Sequence, residues 1–237
     1  MNILFSHPKS VIPFLKDKID DFYLAGGTAL SMFYYEHRES FDLDFFTRNF
    51  SKDSVLKIVD NLKKDSQWKV ELIAEQDKKN FIRIAKFVVH IGNEKECIID
   101  FVEDYVDLLK PFKRVDGINV LSLEDIYIRK IYAIAGHVPA INEIGQQVIL
   151  GGRQEAKDFY DVFCLSTITM PLSKFVSRYC SNTMKEGVVR WYQTYDRMEM
   201  KTGLLDLPTK TRPDYSKIEK HFKVEIDRLL EALIEGE

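Results

Sequence analysis

A pair of glycines followed at a fixed distance by two aspartates is the feature that most constrains this sequence. The segment FYLAGGTALSMFYYEHRESFDLDFF, residues 22–46, starts with a short apolar run that predicts a strand and continues into Gly26 and Gly27. Glycine has no Cβ, so the backbone can turn tightly there before a helix that we expect to begin at Thr28. Unpaired N–H groups at a helix start favour an anion such as phosphate. The segment therefore predicts a strand, a phosphate-binding turn and a helix in succession.

The two aspartates lie in a second predicted strand, FDLDFF. Because side chains alternate along a strand, Asp42 and Asp44 should point to one face, and Phe41, Leu43 and Phe45 to the other. Carboxylate oxygens are ligands that Mg²⁺ prefers. The alternative is an ordinary glycine turn beside a solvated edge strand, since either pattern alone is common. The order strand, turn, helix, strand favours a metal and phosphate site.

A third carboxylate is predicted at Asp100 in the strand CIIDFV. Asp100 shares a strand face with Ile98 and Val102, so an acid stands in an otherwise apolar row. A buried carboxylate needs a hydrogen-bonding partner or a metal. One alternative is a strand-end aspartate that reaches solvent. The others, if the strand register differs, are the nearby acids Glu103, Asp104 and Asp107.

Four segments resemble, in the same order, the motifs of the AbiEii/AbiGii toxin family, which are minimal nucleotidyltransferases of the DNA polymerase beta-like superfamily. GGTAL followed by SFDLDFF matches the first motif at Gly26, Gly27, Asp42 and Asp44. The later motifs match at Asp100 in ECIIDFVED, Lys130 in LSLEDIYIRKIYAIAG, and Arg153, Lys157, Asp158 and Asp161 in GGRQEAKDFYDVF. The resemblance runs from about Phe22 to Leu165.

This resemblance implies an enzyme that uses Mg²⁺, with two ions in the site and Mn²⁺ as an alternative. The implied metal ligands are Asp42, Asp44 and Asp100, which with Lys130 and Asp158 form the catalytic set. The implied nucleotide-binding residues are Gly26, Gly27, Thr28, Lys130, Arg153 and Lys157, while Asp161 supports the site from behind. Without the resemblance, the helical spacing of the last motif would suggest only surface charge pairs.

The resemblance also implies partners. These are an NTP, an RNA acceptor such as tRNA, and a cognate antitoxin, because family members are typically toxins of toxin–antitoxin or phage-defence modules. Two other functions stay open from the sequence. One is a nucleotide-binding interaction protein without transfer activity, and the other is a nucleotidyltransferase that modifies a small molecule such as an antibiotic.

Composition indicates a cytoplasmic protein without a membrane partner. The three cysteines form no CxxC pair, the N-terminus lacks the continuous apolar core of a signal peptide, and no run approaches the roughly 20 apolar residues of a membrane span. Net charge is −3, which argues against binding nucleic acid mainly through phosphates. Residues 171–220 nevertheless hold ten Lys or Arg against six Asp or Glu, with Tyr179, Trp191, Tyr192 and Tyr195 among them. These aromatics either stack single-stranded nucleic acid or, as we favour, pack a helical core.

The predicted fold class is α+β, a polymerase beta-like mixed sheet with flanking helices followed by a C-terminal helical region. We expect residues 1–121 to form the nucleotidyltransferase core and residues 122–237 to form the helical region that completes the active site. Strands are predicted at 68–74, 81–90 and 97–102. Helices are predicted at 52–64, 123–135, 154–165, 172–183, 185–200 and 216–233, with a loop at 204–213. Ser122 and Asp125 resemble a helix cap, and residues 137–152 resemble an insertion that forms a lid, an extra turn or a surface loop.

Overall fold

The computed structural model describes residues 6–78, 80–92, 95–136, 138–141, 147–150 and 152–235. The chain divides into two compact units, residues 1–126 and residues 127–237. The functional division between 1–121 and 122–237 that the sequence suggests stays a prediction.

The first unit is built on one mixed sheet that contains seven strands among the described residues, in the order β3-β4-β5-β2-β1-β7-β6. The strands are β1 (Tyr23–Ala25), β2 (Leu43–Thr47), β3 (Lys69–Gln76), β4 (Ile84–Ile91), β5 (Lys95–Glu103), β6 (Lys113–Val115) and β7 (Ile118–Val120). β2 pairs antiparallel with β1 and parallel with β5, so β2 lies inside the sheet. This confirms the predicted mixed sheet.

Helices pack against this sheet. They are α1 (Ser6–Leu15), α2 (Gly26–Leu30) with a following π-helical turn (Ser31–Tyr35), and α3 (Lys52–Ser66). The predicted alternation is confirmed within β2, because Leu43 and Phe45 are fully buried while Asp44 lies on the other face and is half-buried. The strand begins later than predicted, so Asp42 precedes it, and Phe41, expected on the buried face, is 41% exposed. Phe101 on β5 stacks on Phe45 in the same core. Burial of such large side chains is the main stabilising contribution to the unit.

The helix α4 (Leu123–Ala135) spans the division between the units. The second unit then contains a two-stranded antiparallel pair, β8 (Val138–Ile141) and β9 (Gln147–Leu150). Its remaining helices are α5 (Ala156–Ile168), α6 (Leu172–Tyr179), α7 (Asn182–Thr194), α8 (Arg197–Asp206) and α9 (Tyr215–Glu235). This confirms the predicted helical C-terminal region.

An aromatic cluster forms the core of the second unit. Phe159 lies fully buried, with ring centroids 5.3 Å from Tyr195, 4.9 Å from Phe222 and 6.0 Å from Trp191. Trp191 and Tyr195 are only 4% and 2% exposed. These two aromatics of the basic segment therefore pack the helical core, as the favoured interpretation predicted.

Several predicted elements differ from the structure. The helix expected to begin at Thr28 begins at Gly26, because Gly26 adopts a φ of +68° and turns the chain within the first helical residue. The helix predicted at 185–200 is two helices, because Asp196 accepts a hydrogen bond from the backbone N–H of Glu199 and starts α8. The loop predicted at 204–213 begins only after Asp206, where α8 ends.

Other elements were not predicted. The β6–β7 hairpin turns at Asp116 and Gly117, which both have positive φ, and this Asp-Gly pair is a recognised hairpin signal. The helix α1 was missed because Pro13 interrupts its pattern. The insertion-like segment contains the β8–β9 pair in its described part, while His137 and residues 142–146 lie outside the described residues. Within the described ranges, no helix is both long enough and apolar enough to span a membrane.

Candidate active site

The first carboxylate of the site sits directly against a glycine. β1 pairs with β2 so that Ala25 lies opposite Asp44, and the chain then turns at Gly26. A Cβ on Gly26 would lie 2.0 Å from Oδ2 of Asp44, a distance at which two atoms cannot coexist. The predicted need for glycine at this position therefore has two causes, the positive φ and the close approach of the Asp44 side chain.

The next two residues tie the turn to the loop before β2. A Cβ on Gly27 would lie 2.2 Å from Nη2 of Arg38, whose side chain is buried. The buried Thr28 donates a hydrogen bond from its hydroxyl to the backbone carbonyl of Asp42. These contacts fix the start of α2 beside the segment that holds both aspartates of the first motif.

The third carboxylate lies beside Asp44 on the neighbouring strand of the sheet. Asp100 on β5 is in parallel register with Asp44 on β2, and it is also opposite Lys86 on the other neighbouring strand, β4. Nζ of Lys86 lies 3.0 Å from Oδ2 of Asp100. The other oxygen of Asp100, Oδ1, is buried and has no hydrogen-bond partner.

The charges of this group act on one another. Burial raises the pKa of Asp100, and this effect outweighs the opposing hydrogen bond and charge of Lys86, while the charge of Asp42 raises that pKa further. Burial lowers the pKa of Lys86, but its hydrogen bond with Asp100 and the charges of Asp100, Asp42 and Asp44 outweigh burial and raise it overall. An ammonium and three carboxylates therefore interact where β4, β5 and the start of β2 lie side by side.

This donor set fits a hard divalent cation. Carboxylate oxygens are the ligands that Mg²⁺ takes, and the unpaired buried Oδ1 of Asp100 lacks the partner that such an ion would supply. Among the described residues, no three His, Cys, Asp or Glu side chains are already arranged as a metal-binding group. Asp100 is instead paired with the Lys86 ammonium, a cation that belongs to the chain itself.

The alternatives to Asp100 have other partners in the same unit. Arg83 forms a two-point ion pair with Glu103 and Arg48 pairs with Asp107. Asp104 is buried and accepts hydrogen bonds from the Tyr23 hydroxyl and the backbone N–H of Val106. Asp100 is the acid of this group that lies in register with Asp44.

The later predicted residues form an ion cluster in the second unit. Nζ of Lys130 on α4 lies 2.6 Å from Oδ1 of Asp158 and 2.7 Å from Oδ2 of Asp161, both on α5. The two carboxylates are fully buried and the lysine side chain is 8% exposed. Burial raises the pKa of Asp158, but the charges of Lys130 and Arg153 outweigh burial and hold it below its usual range.

The two remaining basic residues are more exposed. Nε of Arg153 lies 3.2 Å from Oδ2 of Asp158, although the geometry is that of an ion pair without a hydrogen bond. Lys157 pairs with Glu155 at 2.8 Å, and both side chains are 44% exposed. The structure therefore brings Lys130, Asp158, Asp161 and Arg153 together and places Lys157 at the surface beside them in sequence.

Lys86 is the residue of this site that sequence reasoning missed. The signal was available, since Lys86 interrupts the otherwise apolar strand IAKFVVH in the same way that Asp100 interrupts CIIDFV. Its pairing with Asp100 depends on the antiparallel register of β4 and β5, which no local pattern specifies.

The fold is that of known nucleotidyltransferase structures. A candidate nucleotidyltransferase from H. pylori matches with a TM-score of 0.59 and 14% identity, covering 97% of this chain and 96% of that one. JHP933 from Helicobacter pylori matches with a TM-score of 0.57 and 14% identity, covering 97% of this chain and 94% of that one. MenT4, a nucleotidyltransferase toxin from Mycobacterium tuberculosis H37Rv, matches with a TM-score of 0.51 and 14% identity, covering 89% of this chain and 76% of that one.

The family is identified by sequence. The family described as "Nucleotidyl transferase AbiEii toxin, Type IV TA system" matches residues 15–234, and the chain belongs to it. This confirms the predicted family and makes the protein a nucleotidyltransferase. No curated protein sequence matches the chain significantly.

Proposed function

We propose that this protein transfers a nucleoside monophosphate from an NTP to an RNA acceptor in a Mg²⁺-dependent reaction, as the toxin of a toxin–antitoxin pair. The observation that carries this proposal is the register of Asp44 with Asp100 on adjacent strands, with Gly26 held against the Asp44 carboxylate. A family of toxin nucleotidyltransferases supplies the reaction class.

In the proposed site, Asp42, Asp44 and Asp100 hold the metal, as two Mg²⁺ ions or as Mn²⁺ in their place. When bound, such ions lower the pKa of an acceptor hydroxyl and neutralise charge on the phosphates and the departing pyrophosphate. The pairing of β2 with β5 fixes the backbone positions of Asp44 and Asp100, so these carboxylates are held in place to bind such ions. The reaction forms a bond from an acceptor oxygen to the α-phosphorus and breaks the bond from that phosphorus to pyrophosphate.

The other predicted residues bind the nucleotide. We assign Gly26, Gly27 and Thr28 to phosphate binding at the start of α2, as the resemblance implies. We assign Lys130, Arg153 and Lys157 to the triphosphate, as the resemblance implies, and Asp158 to the catalytic set with Asp161 behind it. In this assignment the two buried aspartates orient the Lys130 ammonium.

RNA is the acceptor we favour. Exposed basic side chains of the second unit, including Lys174, Arg178 and Lys201, supply positive charge that suits a phosphate backbone. A type IV toxin–antitoxin family also implies a cognate antitoxin as a partner. We place the reaction in the cytoplasm, where NTPs, RNA and Mg²⁺ meet.

The test is incubation of the protein with each α-³²P-labelled NTP, Mg²⁺ and total cellular RNA, followed by gel electrophoresis. We expect label from one or more NTPs to enter RNA, and we expect Asp42→Ala and Asp44→Ala to abolish transfer while their melting temperatures stay at or above that of the wild type. Label that enters protein or a small molecule would redirect the acceptor. Retained transfer in either aspartate variant would contradict the metal site.

Lys130 and Asp158 need a second measurement because both are buried. Lys130→Ala should weaken NTP binding by roughly 1.5 to 3 kcal/mol, the size of one charge-assisted contact. Asp158→Ala should slow transfer with less effect on nucleotide affinity. Binding is compared only after circular dichroism shows that each variant is folded, and unchanged NTP affinity in folded Lys130→Ala would remove the lysine from the nucleotide site.

A further inference from the structure

Lys86 occupies an unusual position for a lysine. It stands on β4, one strand away from the edge of the sheet, and its side chain is about one-third exposed. The neighbouring residues Ala85 and Phe87 are buried in the core. The strand thus presents one ammonium group to the face that carries the carboxylates of the candidate site.

The ammonium is directed at one carboxylate in particular. Nζ of Lys86 lies 3.0 Å from Oδ2 of Asp100, while Oδ1 of the same carboxylate is buried without a hydrogen-bond partner. A buried carboxylate with one unpaired oxygen is only partly compensated. The negative charges of Asp42 and Asp44 also act on Lys86.

We propose that Lys86 is the internal counter-ion of the metal site, which partly neutralises the site's carboxylates through Asp100 in the metal-free protein and so weakens the binding of a metal ion by Asp100. This inference rests on the proposed function, since it takes Asp100 as a metal ligand. Lys86 is in this sense a positioning residue that acts through Asp100.

The charge balance gives the direction of the effect. Three carboxylates and one ammonium leave a formal charge of −2 in the site, whereas loss of the ammonium leaves −3. Greater repulsion makes the metal-free protein less stable and makes a divalent cation more favourable. A residue that only supported the fold would instead weaken metal binding when removed.

The experiment is isothermal titration calorimetry of the full chain with Mn²⁺ alone, without nucleotide. The Lys86 ammonium lies 3.0 Å from an Asp100 oxygen and repels a cation bound to that carboxylate, so we expect Lys86→Met to bind Mn²⁺ at least about tenfold more tightly than the wild type. The matched control is Lys69→Met on the neighbouring strand β3. Lys69 is 69% exposed and pairs with Glu71 at 2.9 Å, so its removal should leave Mn²⁺ affinity unchanged.

A second readout is the melting temperature. Lys86→Met should melt below the wild type without metal and show a larger rise on addition of Mn²⁺. If Lys86→Met does not fold, Lys86→Gln is used in the same titration and is again expected to bind more tightly. Lys86→Arg keeps the charge and should retain the weaker affinity of the wild type.

The outcomes separate this inference from the proposed function. Wild-type Mn²⁺ binding that is lost in Asp44→Ala but unchanged or weakened in Lys86→Met would overturn the role of Lys86 alone. Absence of Mn²⁺ binding in both the wild type and Lys86→Met would overturn the metal site and this inference together. Tighter binding in Lys86→Met with unchanged Lys69→Met supports both.

Discussion

At the scale of single residues, Gly26 controls the position of a carboxylate through the space it leaves. Gly26 and Gly92 have the same φ of +68°, yet a Cβ on Gly92 would meet nothing within 4 Å. Alanine at either position adopts a left-handed conformation that costs about 1–2 kcal/mol. Only at Gly26 would the added methyl group also displace Asp44, so the two positions form a matched pair.

We therefore expect Gly26→Ala to lose transfer activity by about a hundredfold or more, since displacing a reacting group by about 1 Å has that effect. Gly92→Ala should lose a comparable amount of stability through backbone strain and keep its activity. Transfer assays and urea denaturation of both variants provide the comparison. Equal activity in the two variants would mean that the position of Asp44 does not limit the reaction.

Lys130 is a buried cation whose removal isolates two buried carboxylates. In the wild type the pKa of Asp158 is lowered because the charges of Lys130 and Arg153 outweigh burial. A lowered folded pKa gives stability that is present above the unfolded value of about 3.9 and is lost as pH falls through the folded pKa. Without Lys130, burial favours the protonated acids instead.

Lys130→Met should therefore lose about 3–5 kcal/mol of stability near neutral pH. The ion pair that Arg153 keeps with Asp158 reduces this loss. The deficit should shrink at about pH 5, where the buried acids without their lysine take up protons more readily than in the wild type. Denaturant titrations at the two pH values measure this. The control is Lys157→Met, whose exposed pair with Glu155 should be worth less than about 1 kcal/mol. A deficit that grows on acidification would refute this account of the cluster.

At the scale of elements, the predicted cap at the start of α4 also binds the backbone of a preceding loop. The backbone N–H of Asp125 donates to the Ser122 hydroxyl at 3.0 Å, and that hydroxyl donates to the Asp125 carboxylate at 2.6 Å. The same carboxylate accepts from the backbone N–H groups of Leu109 and Lys110 at 2.8 and 3.0 Å. Asp125 thus joins the helix start to a preceding loop, and it is fully buried.

Asp125→Ala should cost about 2–3 kcal/mol, because it removes the acceptor of two part-buried backbone N–H groups and of the buried Ser122 hydroxyl. The comparison is Ser51→Ala at the start of α3, where one side-chain acceptor at 3.3 Å caps the helix and about 1 kcal/mol is expected. Hydrogen exchange at Leu109 and Lys110 should accelerate in Asp125→Ala alone. Similar costs for the two variants would reduce Asp125 to an ordinary cap.

At the scale of the whole molecule, the net charge of −3 limits how the chain can hold an RNA acceptor. The local excess in residues 171–220 is ten basic against six acidic side chains, a net of +4. Each phosphate contact contributes about 0.7 to the salt dependence for single strands, so this excess supports a slope of no more than about 3.

We expect RNA affinity to fall only modestly between low and physiological salt, with a slope of log K against log salt of about −3 or shallower. Filter binding at several NaCl concentrations measures it, with Asp44→Ala used because this variant is expected not to transfer nucleotide during the assay. Removing one exposed basic residue, as in Arg178→Ala, should make the slope shallower by about 0.7 if that residue contacts phosphate. A slope clearly steeper than about −3 would contradict this expectation, and one steeper than about −7 would require more phosphate contacts than the ten basic side chains of this segment supply.

Local chemistry let the sequence alone predict much of the first motif and the helical region. Gly26 and Gly27 allow a close approach of the chain, and Leu43 and Phe45 alternate with Asp44. In the predicted helix 216–233, apolar Ile218, Phe222 and Ile226 recur every four residues and are buried, so each pattern depends on residues only a few positions apart. The start of α2 and the break before α8 were missed because one positive φ and one side-chain cap outweigh average propensity there.

Only the tertiary structure decided which charges meet. The register that sets Asp44 beside Asp100 and Asp100 beside Lys86 joins three strands. The ammonium of Lys130 on α4 pairs with two acids on the next helix, α5, beyond the β8–β9 pair. These pairings depend on which strands are neighbours and how they are shifted. That choice is set by burial of the entire apolar face of the sheet and helices, a sum over the chain that no short pattern contains.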